Sequence, residues 1–160
     1  MGVNKIVYGG RTLIDITDLT VTPETLSPGV TAINSKGEKI VGATPQWVDL
    51  ALSSSFANYN GLAENAPKYK VNGNLVTIQG CVSPKTAFTS SADGVAITTA
   101  LPAEYRPTND VVIVCSGSGM NRWVLRIKND GILYMERYGG TSYASVPTTA
   151  WCPFCVTYSI

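Results

Sequence analysis

The sequence predicts an all-β protein in two parts: a small N-terminal β-hairpin module over residues 1–44, then an antiparallel β-sandwich or barrel over residues 45–160. Three observations predict it. Short runs rich in valine, isoleucine, threonine and aromatic residues recur along the chain, bounded by glycine, asparagine or proline. No segment sustains the 3.6-residue apolar period of an amphipathic helix. Charged residues make up only 14% of the 160 residues, against about 25% in an average globular domain, and glycine, serine, threonine and asparagine fill the surface instead. Such a composition suits an extracellular β-protein or a subunit whose faces are covered in an assembly.

The first module reads as two hairpins. Ile6 and Tyr8 alternate with their neighbours, Gly9-Gly10 turns because glycine takes positive φ without steric cost, and Thr12-Leu13-Ile14 returns. Val30 to Ile33 then runs out, Asn34-Ser35-Lys36-Gly37 turns, and Glu38 to Val41 comes back. Between them, Thr22-Pro23-Glu24-Thr25-Leu26 reads as one helical turn with Thr22 as N-cap and Pro23 at the first helical position. The module ends near Thr44-Pro45-Gln46. It contains no cysteine and is too short to bury a core alone, so it is expected to be held by copies of itself or by a docking partner.

From Trp47 the pattern changes. Trp47 to Leu52 is a mostly apolar run that opens the second domain. Phe56 to Asn60 and Pro67 to Val71 read as loops or short edge segments. Leu75 to Val82 is a strong strand, opened by the turn Asn72-Gly73-Asn74, and Val95 to Thr99 is a short one. Leu101 to Pro107 is a proline-pinned loop, and Val111 to Cys115 reads as a buried strand. Trp123 to Lys128 and Ile132 to Glu136 flank Asn129-Asp130-Gly131, a hairpin signal, and Phe154 to Ile160 closes the fold. Many short strands with turn signals between them indicate a sandwich or barrel.

Charge and composition exclude several functions. The net charge is +1 with no basic run, so neither nucleic acid nor an anionic membrane surface is an expected partner. The start Met1-Gly2-Val3-Asn4-Lys5 lacks the apolar core of a secretory leader, and Ile6 stands where a myristoylation motif needs Ser or Thr. Synthesis in a cytoplasm without the usual export is therefore expected. The longest apolar runs are far too short to span a bilayer.

The chemistry-bearing residues are few. The absence of histidine removes Ser-His-Asp and Cys-His catalysis and histidine metal sites. Asp130 with Glu136 is a conceivable glycosidase pair, but turn chemistry already explains Asp130. Cys152 and Cys155 form a CxxC that could join Cys81 and Cys115 in a thiolate zinc site. Their strand-rich surroundings favour the alternative, small buried hydrophobes with neither metal nor lasting disulfide. Gly117-Ser118-Gly119 lacks the remainder of a phosphate loop and reads as a hairpin loop. Lys68, Lys70, Arg106, Arg122, Arg126 and Arg137 are dispersed as on a solvated surface. Tyr134, Arg137, Tyr138 and Tyr143 remain as ligand-binding candidates, because rings in a small polar loop can cover the apolar face of a sugar. The alternative reading packs these tyrosines on the sheet or between subunits. No catalytic residue, metal or cofactor is expected.

Two stretches carry a resemblance. Tyr8-Gly9-Gly10, Thr12-Leu13-Ile14-Asp15 and Thr17, followed by Thr22, Leu26, Gly29, Thr31-Ala32, Gly37, Ile40, Gly42 and Thr44, resemble a small N-terminal module of virion proteins of tailed bacteriophages of Gram-positive hosts. Ile16 replaces that pattern's leucine. Gly73 to Gly80, Ile97 to Pro107 and Leu125 to Tyr134 are similar to the jelly-roll-type head domain at the tips of phage tail fibres and receptor-binding proteins. The resemblance implies an N-terminal attachment module and a jelly-roll-like head in a non-enzymatic virion subunit. That subunit is expected to form a homotrimer, to dock on other phage structural proteins through residues 1–44, and to contact a host cell-surface saccharide. A capsid-decoration or head-fibre protein is the alternative of the same origin.

Overall fold

The computed structural model describes residues 4–160, so the leader and myristoylation readings at Met1 to Val3 lie outside the described residues. The chain is all-β, with antiparallel sheets and, among the described residues, only single 3-10 turns as helical pieces. It divides into Met1–Gln46 and Trp47–Ile160.

The first unit holds two hairpins. Strands β1 (Lys5–Tyr8) and β2 (Arg11–Asp15) pair around Gly9 (φ +56°) and Gly10 (φ +76°), the two positive φ values that a type I′ turn demands. The ladder slips between Ile6 and Val7, so one extra residue of β2 bulges. Asp15 closes the base: it pairs with Lys5 Nζ at 2.8 Å and accepts from the amide and hydroxyl of Thr17. Strands β3 (Thr31–Ile33) and β4 (Lys39–Val41) form the second hairpin, its turn fastened by Asn34 Oδ1, which accepts from the amides of Lys36 and Glu38, both at 2.9 Å. The expected helical turn is a single β-turn over Pro23–Thr25. Thr22 does not act as the predicted cap; the Thr25 hydroxyl instead accepts from the Thr22 amide at 2.9 Å and donates to the Thr22 carbonyl at 3.0 Å. Gly42 is the one described residue of this unit that is buried. A Cβ there would run into the Ser27 carbonyl.

The second unit is a two-sheet antiparallel sandwich. One sheet runs β15 (Cys152–Ser159), β8 (Leu75–Pro84), β7 (Lys68–Asn72), β5 (Val48–Asp49), with β6 (Phe56–Asn58) pairing the C-terminal half of β8. The other runs β10 (Val95–Ala96), β13 (Leu133–Gly139), β12 (Arg122–Ile127), β11 (Val111–Ser116). A small third sheet pairs β9 (Phe88–Thr89) with β14 (Ser145–Val146). Strand alternation places Cys152, Phe154, Val156 and Tyr158 of β15 inward, and Trp123, Leu125 and Ile127 of β12 likewise. They meet in one core, where the Trp123 and Phe154 rings stand edge to face at 6.1 Å, a geometry worth about 0.5–1.5 kcal/mol beyond burial. Trp123 Nε1 donates to the Ser116 carbonyl at 2.9 Å, so the indole enters the core with its polar atom satisfied. Gly80 is required by space: a Cβ would lie 2.9 Å from both the Phe154 ring and the Pro67 backbone.

Two expectations are corrected here, for Val111 to Cys115 and for Pro67 to Val71. Val111 to Cys115 is not a buried strand. β11 is the edge of its sheet, its outer residues Val112 and Val114 are exposed, and only alternate residues face the core. Phe56 to Asn58 is a short edge segment, as expected: it pairs with β8 alone and sinks the Phe56 ring completely. Pro67 to Val71 is an internal strand flanked by β8 and the short β5. The hairpin turns fall where turn chemistry puts them. Gly73 (φ +60°) opens the two-residue turn between β7 and β8, and Gly131 (φ +84°) closes the turn between β12 and β13. The Leu101 to Pro107 segment packs on that second turn: the Leu101 amide donates to the Gly131 carbonyl at 3.0 Å, and Arg106 Nε donates to the Leu101 carbonyl at 2.9 Å.

Candidate functional site

Along β13 the ladder gains a residue. Val124 pairs with Glu136 and Arg122 pairs with Gly139, so three steps on β13 face two on β12. The bulge puts Arg137 at φ +53°, left-handed and exposed, and turns the next side chain, Tyr138, into the core at 1% exposure. The Tyr138 ring packs where Gly117 lacks a side chain: a Cβ on Gly117 would lie 3.0 Å from Tyr138 Cε2. Asn121 Nδ2 donates to the Tyr138 hydroxyl at 3.3 Å and to the Ser118 carbonyl at 3.0 Å. The Tyr138 carbonyl accepts from the Ser90 hydroxyl at 2.7 Å and the Ala144 amide at 2.9 Å. A bridge between Gly139 and Tyr143 closes the loop, and the Ser118 hydroxyl accepts from the Trp151 amide at 2.7 Å.

These bonds gather three segments at one end of the second unit: Ser118–Asn121, Arg137–Tyr143 and Trp151. Tyr138 is the pillar beneath them. Met120 (92% exposed), Tyr143 (55%), Trp151, Arg122 and Arg137 are presented to solvent. None of the three segments contains a carboxylate, a histidine or a cysteine. The arrangement can stack on an apolar ring face and donate hydrogen bonds from two guanidinium groups.

The four sequence candidates are therefore separated. Arg137 and Tyr143 belong to this end. Tyr138 lies under it and has no ring face free for a ligand. Tyr134 stands four residues back along β13, roughly 13 Å away at about 3.3 Å per residue, on the outer face of the sheet. There its hydroxyl lies 3.3 Å from Asp130 Oδ2, and Lys128 Nζ sits 4.0 Å above its ring. Burial, and then the Asp130 charge, raise the Tyr134 phenol above its ordinary pKa. Met120, Asn121 and Trp151 escaped sequence reasoning. The one signal was the Gly117-Ser118-Gly119 turn, whose neighbours are presented because it is tight.

The other constellations resolve into packing. Asp130 Oδ1 accepts from the Ile132 amide at 2.8 Å, a turn role. Glu136 is buried beside Arg126, whose Nε lies 2.8 Å from Glu136 Oε1, while Oε2 has no hydrogen-bond partner. The segment before β10 covers it: Gly94 lies so close that a Cβ would come 2.9 Å from Glu136 Cγ. All four cysteines are free. Cys152 faces the core and Cys155 faces solvent, because residues three apart on a strand lie on opposite faces. Burial pushes the Cys115 thiol up to about 11 and that of Cys152 up to about 12, so both stay protonated and unreactive near neutral pH. Among the described residues, no three His, Cys, Asp or Glu side chains come together in a metal-holding group. Comparison with known proteins gives no match to any protein-family model and no match to any curated protein.

Proposed function

We propose that this chain is a non-enzymatic structural subunit of a phage virion, of the receptor-binding or tail-tip type. It acts as a homotrimer in which residues 1–44 engage copies of the chain and other structural proteins. The head, residues 45–160, presents its loop end to saccharides of the host surface. The observation that carries this reading is the contrast in burial. The first unit has well-formed hairpins and, Gly42 apart, no buried residue among those described. The second encloses a continuous core. A unit of that size without a core depends on a partner surface. At the loop end, Tyr143, Trp151, Arg122 and Arg137 supply the stacking and hydrogen-bonding groups that a neutral glycan needs.

The alternative of the same origin, a capsid-decoration or head-fibre subunit, draws on the direct junction between Gln46 and Trp47, which leaves no room for a fibre shaft. Imaging of the intact particle separates the two. Density at the tail tip supports the first reading and density on the shell supports the second; absence from the particle overturns both. Arg137→Gly and Tyr143→Ala are each expected to weaken host adsorption several-fold with head unfolding unchanged. Unchanged adsorption in both removes this loop from the site.

A further inference from the structure

A concavity lies in the head where the segments Ser54–Ser55 and Lys85–Phe88 meet Val95. Its volume is about 320 Å³, at the lower end of the roughly 300–1,000 Å³ of small-molecule sites. That is room for one ring-sized group. Ser54, Ser55, Lys85, Thr86, Phe88 and Val95 line it, and Ser55 and Lys85 are neighbours across the pairing that continues β6 and β8. Hydrogen bonds hold the backbone beside these residues. The Ser53 amide donates to the Ile97 carbonyl at 2.9 Å, the Ser53 hydroxyl donates to the Ala96 carbonyl at 2.6 Å, and the Lys85 amide donates to the Ser55 carbonyl at 2.9 Å. These bonds occupy the backbone and Ser53. The exposed side chains of Ser54, Ser55, Thr86 and Lys85 line the groove and make none of the hydrogen bonds above. Lys85 takes part in none of the ion pairs among the described residues, and no carboxylate lines the groove.

From this geometry we infer a binding site for one sugar residue that bears a single carboxylate. The inference rests on the saccharide-binding reading above and adds the location and charge class of a second subsite. Phe88 and Val95 offer an apolar surface to the C–H face of a pyranose, and three hydroxyls meet its hydroxyls. Lys85 is a point charge that matches a monoanion one to one. A phosphate ester, close to a dianion at neutral pH, is better matched by two cationic groups or by a forked guanidinium, and the groove's lining holds one lysine and no arginine.

The test is a titration of the full chain with glucuronic acid, glucose and glucose 6-phosphate, read by amide chemical shifts and by calorimetry. Glucuronic acid is expected to bind in the millimolar range and to shift the amides of Ser54, Ser55 and Lys85 to Phe88. Glucose should bind at least five-fold more weakly. Lys85→Gln should reduce glucuronic acid binding to the level of glucose, and added salt should do the same progressively. No shift at these amides, equal binding of glucose, tighter binding of glucose 6-phosphate, or indifference to Lys85→Gln each overturns the inference. These outcomes are separate from the loop-end reading. If Arg137→Gly and Tyr143→Ala abolish adsorption while glucuronic acid fails to bind here, the functional proposal stands and this subsite falls.

Discussion

The two units use the same local chemistry and reach different ends. In the first, Gly9-Gly10 and the Asn34 side chain make turns as well formed as those at Gly73 and Gly131 in the second. Yet Tyr8 is 78% exposed and Leu13, Ile14, Ile33 and Val41 lie open to solvent, whereas Trp123, Leu125, Ile127 and Leu133 are fully enclosed. Turn residues decide where a chain reverses. They do not supply the burial that holds a hairpin folded in water, since an isolated two-stranded hairpin is marginal on its own. The second unit stacks two sheets so that every inward residue finds a partner. The first unit has no second layer among its own described residues, and its apolar side chains stay open to solvent.

The largest effect is expected where the core is deepest. Trp123→Ala removes the ring that meets Phe154 and should destabilise the head by about 3–5 kcal/mol, a large part of a domain's usual 5–15 kcal/mol. Denaturant unfolding followed by far-UV dichroism measures it; a loss under 1 kcal/mol would mean that the enclosed core is not what holds the second unit. Gly42→Ala sharpens the comparison from the other side. Its methyl group collides with the Ser27 carbonyl and should cost about 1–3 kcal/mol locally. It is expected to lower the oligomeric state in sedimentation while leaving the head's unfolding midpoint unchanged; a shifted midpoint would show that the units fold as one.

A smaller effect concerns the base of the first hairpin. Lys5 and Thr17 hold the Asp15 carboxyl well below its ordinary value, at about 2. A carboxyl with a lowered folded-state pKa contributes stability above its unfolded value of about 3.9 and loses it as pH falls through the folded value. Amide signals of β1 and β2 should therefore weaken between about pH 4 and pH 2, ahead of those of β12 and β13, and Asp15→Asn should abolish this dependence. Simultaneous loss of both sets would remove Asp15 as the cause. The smallest effect is at Arg137. Glycine relieves a left-handed residue's strain of about 1 kcal/mol and adds unfolded-state freedom of nearly equal size, so Arg137→Gly should change head stability by less than about 0.5 kcal/mol. A larger loss would mean that the arginine side chain packs the loop.

Much of this architecture is legible in the sequence because it rests on local rules. Gly9-Gly10, Gly73 and Asn129-Asp130-Gly131 mark reversals, and Trp123-Val124-Leu125-Arg126-Ile127 alternates as a half-buried strand must. Val111 to Cys115 misleads, because a continuous apolar run looks the same at an exposed edge as in an enclosed layer, and neighbours alone decide. Phe56 to Asn58 is legible only as a loop or a short edge, because its strand is short and only the partner β8 makes it one. Of the site, Arg137 and Tyr143 are legible as a small polar loop with rings. The burial of Tyr138 is not, because one bulge residue reverses which face a side chain takes. Trp151 and Met120 join the loop end through contacts distant in sequence, which no local pattern records.

The central claim is that the first unit depends on other chains for its fold while the second does not. Amide hydrogen exchange of the full chain across a dilution series tests it directly. The account predicts that amides of β8, β12, β13 and β15 stay protected at every concentration, while those of β1 to β4 gain protection only where sedimentation shows assembly. Protection of β1 to β4 as strong as that of β12 in a demonstrably monomeric chain would contradict it.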